Sequence, residues 1–546
     1  MTEPLPPEDR WAFWRGPFGI TVLFVLLTAV MTWPQAIVLK THALDHQDVF
    51  FNLWRLRWVA HALSTSPANL FNANIFHPEP GVLAYSDAML VQGVLAAPIL
   101  WAGVPPVLVH NLFLLGPIVA SAVGAYVLAR HITGSAAGGV MAGVIFAFAP
   151  YRFEHYMHME LQWTLWMPWA LWALQRTLES GSLRFGLLTG LFAALQMASS
   201  VYYGVFLFMA IAAVGGTQLI TLRRQHLARV VRALLLGGAL AASVSWVYSL
   251  PYSAAAARVG TRSTHDVKRF SARPRDYLVT TPTNILHGSP DAGAPERRLS
   301  PGILPPLLAL IGLLLIPPTA TAVAYLIGLV VAFEVSLGAY GQLYPALFEH
   351  IGVIRGLRAP ARASALFLLF LGVLAAYGIA ALAKTTPERI RRPLAAVLCG
   401  LVLLEYRVSP IPLVPYPNDA PPLYELLARR PPGIVVEFPV PRPGAPPYYD
   451  PRYAYMSTFH WMPLLNGYSG FYPPSYLRRL GRLADFPDDA SVASLRRENV
   501  KYVIVHEEGY LPGERARIVE RLLRLGAIPL SDLNDGWGVG TLLEMK

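Results

Sequence analysis

For its first three quarters the chain alternates between apolar runs and short polar loops. Apolar windows of roughly 17 to 22 residues, the length that crosses a bilayer as a helix, recur at 18–38, 107–129, 136–150, 161–177, 184–200, 203–221, 232–250, 302–317, 320–338, 364–383 and 393–409. The pattern predicts about eleven spanning helices. The stretch 88–104 (AMLVQGVLAAPILWAGV) is a twelfth candidate, and loop charge decides how to treat it. Read as a membrane-surface or re-entrant helix, it leaves Arg130, His131, Arg176, Arg184, Arg223, Arg224, Arg229, Arg232, Lys384, Arg389, Arg391 and Arg392 on one side, which becomes the cytoplasm. The N-terminus then lies inside. The outer face receives the loop 39–106, the loop 150–160, the tip at Ser200 to Tyr203, the loops 251–301 and 339–363, and the tail beyond Pro410.

The period changes after Pro410. A Pro-rich linker (SPIPLVPYPNDAPP) is followed by the strand-like GIVVEFPV, a polar aromatic segment, the strand-like KYVIVH and the amphipathic ERARIVERLLRLG. That order predicts a small α/β domain. The expected fold is an α-helical polytopic membrane domain over 1–409, with the first outer loop 39–106, plus an extracytoplasmic α/β domain over 410–546.

Composition agrees: 54% of residues are hydrophobic and only 14% charged, where soluble globular chains carry about a quarter charged residues. A net charge of +11 would suggest nucleic acid in a soluble protein. Here the basic residues gather in short loops, which points to topology and anionic membrane lipid, with no nucleic-acid partner. The one cysteine, Cys399, sits in an apolar run and excludes an intrachain disulfide or a cysteine metal site. The first run, Phe18 to Val38, has no convincing small-residue cleavage site and is expected to stay as the first helix.

In the first outer loop, HQDVFFNLWRLRW starts a helical pattern from Val49 to about Leu63. Phe51, Trp54, Trp58 and Ala62 share a face, and Asn52, Arg55 and Arg57 lie away from it. Such a helix is expected at the membrane interface, its tryptophans at headgroup depth and its arginines on phosphates. On residue type alone Asp48 is a helix N-cap. The asparagines, prolines and aromatics of PANLFNANIFHPEPGVLAYSDAML predict an ordered, non-helical surface after it.

An acid soon after the first span, then an amphipathic helix, then more outer structure before the second span, resembles the GT-C fold of polyprenyl-phosphate-sugar-dependent glycosyltransferases. HQDVFFNLWRLRWVAHAL, LFNANIFHPEPGVLAYSDAML, FAPYRFEHYMHMELQW, LRAPAR and NGYSGFYPPSY together look like a poorly characterised bacterial group of multi-pass proteins described as glycosyltransferases of this fold. The resemblance to that group runs along most of the chain. It implies that Asp48, with Asp45 second, is the general base, and that Asn52 and Arg55 bind substrate. Single inversion needs a carboxylate to take the acceptor proton and cations to stabilise the departing lipid phosphate. The chain lacks a tight Asp-x-Asp pair and a WWDYG-type signature, which disfavours transfer of a preassembled oligosaccharide.

YRFEHYMHMELQW brings Glu154, His155, His158 and Glu160 close together. On a helix, Glu154 and His158 could converge on one divalent ion; a hydrogen-bonding role toward the substrate is the preferred reading and ligation the alternative. The resemblance matches Glu154 to an acid near the metal or donor phosphate. Arginines crowd the outer loops against the usual orientation bias, and an anionic donor headgroup would explain that. In GLRAPARAS, Arg358 and Arg362 are spaced one helical turn apart to grip a phosphate, and Arg273 and Arg275 of SARPRDYL come second.

In the tail, HWMPLLNGYSGFYPPSY suits sugar stacking, but a tail of this size needs its aromatics for a core. Asp450, Glu437 and His460 read as scattered singles. The expected function is transfer of a sugar from a polyprenyl-phosphate donor to a glycan or protein acceptor outside the cytoplasmic membrane. A transporter or flippase of lipid-linked glycans would place ionisable groups near the midplane, whereas Glu334, Glu405 and the loop acids cluster toward outer ends. A catalytically silent envelope-assembly protein is the third class.

Overall fold

A computed structural model describes residues 16–546. Each of the eleven apolar windows lies on a helix. Among the described residues, five helices are long and apolar enough to cross a membrane: Pro106–Thr133, Ala136–Glu154, Val201–Leu219, Arg224–Val259 and Pro360–Thr385. Pro17–Met31, Leu90–Trp101, Leu183–Ser199, Leu304–Leu315 and Ala320–Ser336 are apolar but shorter. The stretch 88–104 forms only Leu90–Trp101, 12 residues. It is as long as Leu304–Leu315, the helix of the window 302–317.

Packing divides the chain into two compact units: residues up to Ile37 with Phe113–Tyr248 and Thr261–Ile411, and Val38–Leu112 with Ser249–Gly260 and Pro412–Lys546. The sequence puts one boundary at 410 and leaves the first loop with the membrane helices. The contacts instead group that loop with the tail.

In the first unit the helices approach through small residues. Helix Leu183–Ser199 meets Arg224–Val259 where a Cβ on Gly190 would lie 2.0 Å from the Gly237 carbonyl oxygen, and one on Gly186 would lie 2.3 Å from that of Ala233. Gly186 and Gly190 form a small-xxx-small stripe, a usual device where lipid gives no hydrophobic drive between helices. Leu304–Leu315 packs on Ser364–Thr385 the same way, a Cβ on Gly378 falling 1.9 Å from the Leu308 carbonyl oxygen. Gly190→Leu is therefore expected to part this helix pair and abolish the monodisperse peak of the detergent-solubilised protein on size exclusion. A Gly238→Leu control, whose Cβ would meet nothing within 4 Å, should elute like the parent.

The second unit is tied together by strands distant in sequence. β1 (His42–Leu44) pairs antiparallel with β2 (Leu413–Pro415) in the register Ala43 to Val414. β3 (Ile434–Phe438), β4 (Val500–His506), β5 (Ile528–Asn534) and β6 (Val539–Glu544) form one sheet in the order β3-β4-β6-β5. β3 and β4 are parallel and the other two pairings antiparallel. The strand, helix and strand expected from GIVVEFPV, KYVIVH and ERARIVERLLRLG all form, the last as helix Glu514–Arg524.

Helix Gln47–Thr65 is not an interfacial helix, because tail aromatics and the polypeptide after it enclose it. Trp54 is 1% exposed and Trp58 8%, and Arg55, expected on phosphates, is 3% exposed. Phe50 lies 4.5 Å from Tyr416 and Phe51 5.1 Å from Tyr468, centroid to centroid. The polar face turns to protein groups: Arg55 donates to the Asp87 carbonyl (2.8 Å) and to Asn52 (2.5 Å), and Arg57 donates to the Thr458 carbonyl (3.2 Å) and stacks 4.4 Å over Phe459. An amphipathic pattern fits a protein groove as well as a membrane surface.

Candidate functional site

Asp48 sits in the first turn of helix Gln47–Thr65, but it is not the cap. His46 is in extended conformation at the N-cap, and its ring Nδ1 accepts the Asp48 N–H at 3.1 Å. That leaves the Asp48 carboxyl to point outward from the turn. Its Oδ1 accepts from the Tyr468 hydroxyl at 2.6 Å, its Oδ2 lies 3.6 Å from His46 Nδ1, and the side chain keeps 12% of its surface exposed. The N-terminal end of the helix favours the ionised form. Tyr416 fixes the entry to this turn, donating to the carbonyls of Leu44 and His46 at 2.8 and 3.1 Å. Asp45 is exposed, and its N–H donates to the Pro412 carbonyl. Asn52 and Arg55, expected to bind substrate, are buried against each other and are positioning residues for this helix.

Tyr468 comes from the tail segment HWMPLLNGYSGFYPPSY, most of which packs, as expected. Phe76 meets Tyr472 and Tyr476 edge to face, and the Tyr476 hydroxyl donates to Asp450 at 2.6 Å. Behind it lies a polar cluster the sequence does not reveal. Glu437 and Asp450 are not scattered singles. Asn466 donates to Asp450 at 3.1 Å and to the Glu437 carbonyl at 2.9 Å. His506 lies fully buried between Glu437 (2.8 Å) and Asp535 (2.5 Å), with Tyr424 donating to the same Glu437 oxygen at 2.7 Å. β-sheet pairing puts these groups together, since Glu437 pairs with Ile504, two residues before His506 and on the same face of the strand.

Burial would lower the His506 pKa, but the two carboxylates outweigh it and raise it. Asp535 is held at about 2: burial pushes it up, and His506 more than offsets that. Burial raises Asp450 to about 7 despite the Tyr476 and Asn466 hydrogen bonds. Between about pH 4 and 7 the folded Asp450 keeps a proton that the unfolded chain releases, so stability falls as pH rises through that window. His506 acts in the same direction above its ordinary value of 6.5, and Asp535 contributes only below about pH 4. The tail unit should thus melt at a higher temperature at pH 5 than at pH 8, with a loss of about 3 kcal/mol from Asp450 between the two. Asp450→Asn should flatten the dependence, measured by scanning calorimetry at both pH values.

In the first unit, the second cluster is organised by arginines. Glu154 accepts from Arg298 at 2.7 Å. Arg362 donates twice to Glu296, at 2.6 and 3.3 Å, and stacks 4.8 Å from the Tyr202 ring. His155 Nε2 lies 3.6 Å from Glu296; burial holds this imidazole neutral, at about 3. Burial alone would raise the Glu296 carboxyl, but Arg362 and His155 hold it well below the usual range. Arg358 and Arg362 do not sit one turn apart on a helix, because Pro360 opens a 3-10 turn over Pro360–Ala363 and the helix begins at Ser364. Arg362 is thereby committed to Glu296 and not to a phosphate.

Arg358 remains half-buried, its guanidinium 5.3 Å from the Phe270 ring and its backbone N–H on the Tyr202 hydroxyl. Its charge acts on Arg262, which burial and Arg358 push down to about 10. Arg273 donates to the Tyr340 hydroxyl at 3.0 Å, and Arg275 is exposed. His158 lies beside His155, ring centroids 5.6 Å apart. Among the described residues no three His, Cys, Asp or Glu side chains gather as a metal set. Glu154 is instead paired with Arg298. Sequence reasoning missed Tyr468, Glu296 and the Glu437–His506–Asp535 cluster; the only local signal was Glu296 as a lone acid in APERR.

No protein-family model and no curated protein matches the chain. Among solved structures it is similar to the cryo-EM structure of the arabinofuranosyltransferase AftD from Mycobacteria, 16% identical with a TM-score of 0.62, over 97% of this chain and 40% of that one. A mutant form of the same enzyme gives 16% identity and 0.58 over 97% and 41%. The apo oligosaccharyltransferase from Archaeoglobus fulgidus gives 11% and 0.49 over 90% and 70%. The chain thus spans about two fifths of the arabinofuranosyltransferase's length. At this identity the likeness shows the fold. That shared fold extends over nearly all of the chain.

Proposed function

We propose that the protein is an inverting glycosyltransferase of the cytoplasmic membrane that takes its sugar from a polyprenyl-phosphate donor and passes it to a glycan or protein acceptor on the extracytoplasmic side. The eleven-span topology, with the N-terminus inside and the tail outside, belongs to this reading. The observation that carries it is Asp48. A carboxylate that keeps part of its surface, spared from capping by His46 and oriented by the Tyr468 hydroxyl, has the form of a general base.

The acceptor hydroxyl gives its proton to Asp48 as its oxygen bonds to the anomeric carbon. The anomeric carbon–oxygen bond to the donor breaks on the opposite face, and the electron pair leaves on the lipid phosphate. An arginine guanidinium is the kind of group proposed to stabilise that phosphate. Asp45 takes second place: it is exposed, and its backbone N–H donates to the Pro412 carbonyl.

The test is reconstitution of the full chain in vesicles with synthetic polyprenyl-phosphate sugars, arabinofuranose first because of the structural likeness to an arabinofuranosyltransferase. Transfer with inverted anomeric configuration is expected. No transfer from any donor, or retained configuration, would overturn the reading.

A further inference from the structure

At the other end of helix Gln47–Thr65, well along from Asp48, the second unit carries an open hollow of about 490 Å³. That volume falls in the range of small-ligand pockets. Trp101 and Trp461 stand in its wall, and Arg57, His61, Ser64 and Asp419 supply polar groups. Trp101 is 56% exposed yet fixed, its indole N–H donating to the Ala60 carbonyl at 3.1 Å. Trp461 is stacked on His61, centroids 3.9 Å apart and planes 9° from parallel.

The backbone at Trp461 is in the left-handed region, φ 56°. A bulky aromatic pays strain there, and such strain concentrates at ligand clamps. Arg57 donates through Nη2 to the Thr458 carbonyl, while among the described residues its buried Nη1 meets no hydrogen-bond acceptor. Burial of this guanidinium lowers its pKa, with Tyr455 the main counterweight and Asp419 a smaller one.

We propose that this hollow is a binding site for a neutral saccharide. Flat indole faces match the C–H faces of sugar rings, and a guanidinium and a carboxylate in one wall can donate to and accept from adjacent hydroxyls. A phosphate or uronate would meet Asp419, and an alkyl chain would leave Arg57 and Asp419 desolvated without compensation. The inference rests on the transferase reading in one respect: the saccharide is then the acceptor glycan, held away from the proton-transfer step. Retention of a growing or extended acceptor follows from that placement.

The probe is an array of neutral, uronic-acid and phosphorylated oligosaccharides, read against the full chain in nanodiscs and followed by saturation-transfer NMR on the hits. Neutral saccharides should bind, and Asp419→Asn and Trp101→Ala should each weaken them by about tenfold, the loss of one charge-assisted bond or stacking face. Asp48→Asn should leave this affinity within about twofold, since Asp48 takes no part in the hollow. If no neutral saccharide binds, if phosphorylated glycans or phospholipid headgroups displace the neutral ones, or if both pocket variants bind like the parent, the proposal is overturned. If neutral saccharides bind but Asp48→Asn retains full turnover, the base assignment fails and the pocket stands.

Discussion

Asp48→Asn should lower turnover by about two to four orders of magnitude while the protein elutes and melts like the parent. The expectation follows from the separation of roles in the first turn. His46 caps the helix, so the carboxylate is not needed to hold its start. An asparagine oxygen still accepts the Tyr468 hydroxyl, so the link to the tail survives. What vanishes is a group able to take a proton. Tyr468→Phe is the companion variant. It keeps the edge-to-face packing with Phe51 and removes the donor to Oδ1, so the rate should fall by about tenfold and the acid limb of the pH–rate profile should move to higher pH. A purely structural tyrosine would lower yield without moving that limb. Wild-type turnover in Asp48→Asn would remove Asp48 from the chemistry.

The largest stability effect is expected at Glu296. Its carboxylate holds the Arg362 guanidinium in a bidentate pair, with side chains 12% and 7% exposed. Glu296→Ala leaves that cation buried and uncompensated, at a cost of about 3–5 kcal/mol. Glu296→Leu combined with Arg362→Met removes both charges and should recover most of the loss, because a buried pair is often no more stable than apolar residues of similar volume. Thermal unfolding in detergent for the single and double variants decides this. Equal destabilisation by both would place the cost in lost packing. Glu154→Gln should cost less, since the Arg298 side chain is 15% exposed and keeps the Gly293 carbonyl as a partner.

These two positions also show where reading from sequence succeeds and stops. All eleven apolar windows became helices because hydrophobic runs of that length specify their own backbone hydrogen bonding. Asp48 was legible as an acid just beyond the first span, but the cap expected of it falls to His46, two residues earlier, whose ring accepts the Asp48 N–H. Its partner Tyr468 lies 420 residues away, a pairing that no local pattern encodes. Arg358 and Arg362 show the opposite failure. Their spacing suggested one helical turn, yet the intervening Pro360 breaks the helix and Glu296, 66 residues upstream, takes the second arginine. The arginines and tryptophans of Gln47–Thr65 were assigned to lipid because an amphipathic stripe shows that a partner exists without showing which.

The β1–β2 pairing has a consequence for how the protein is made. Tyr416 closes over a turn 370 residues earlier in the chain. On the ribosome the first loop is therefore synthesised long before the tail that completes its core, and it waits with its aromatic side chains uncovered through the insertion of every later helix. A chaperone acting at that stage would meet the nascent loop, and a translation stop before the tail would strand it unfolded while the apolar helices were already in place.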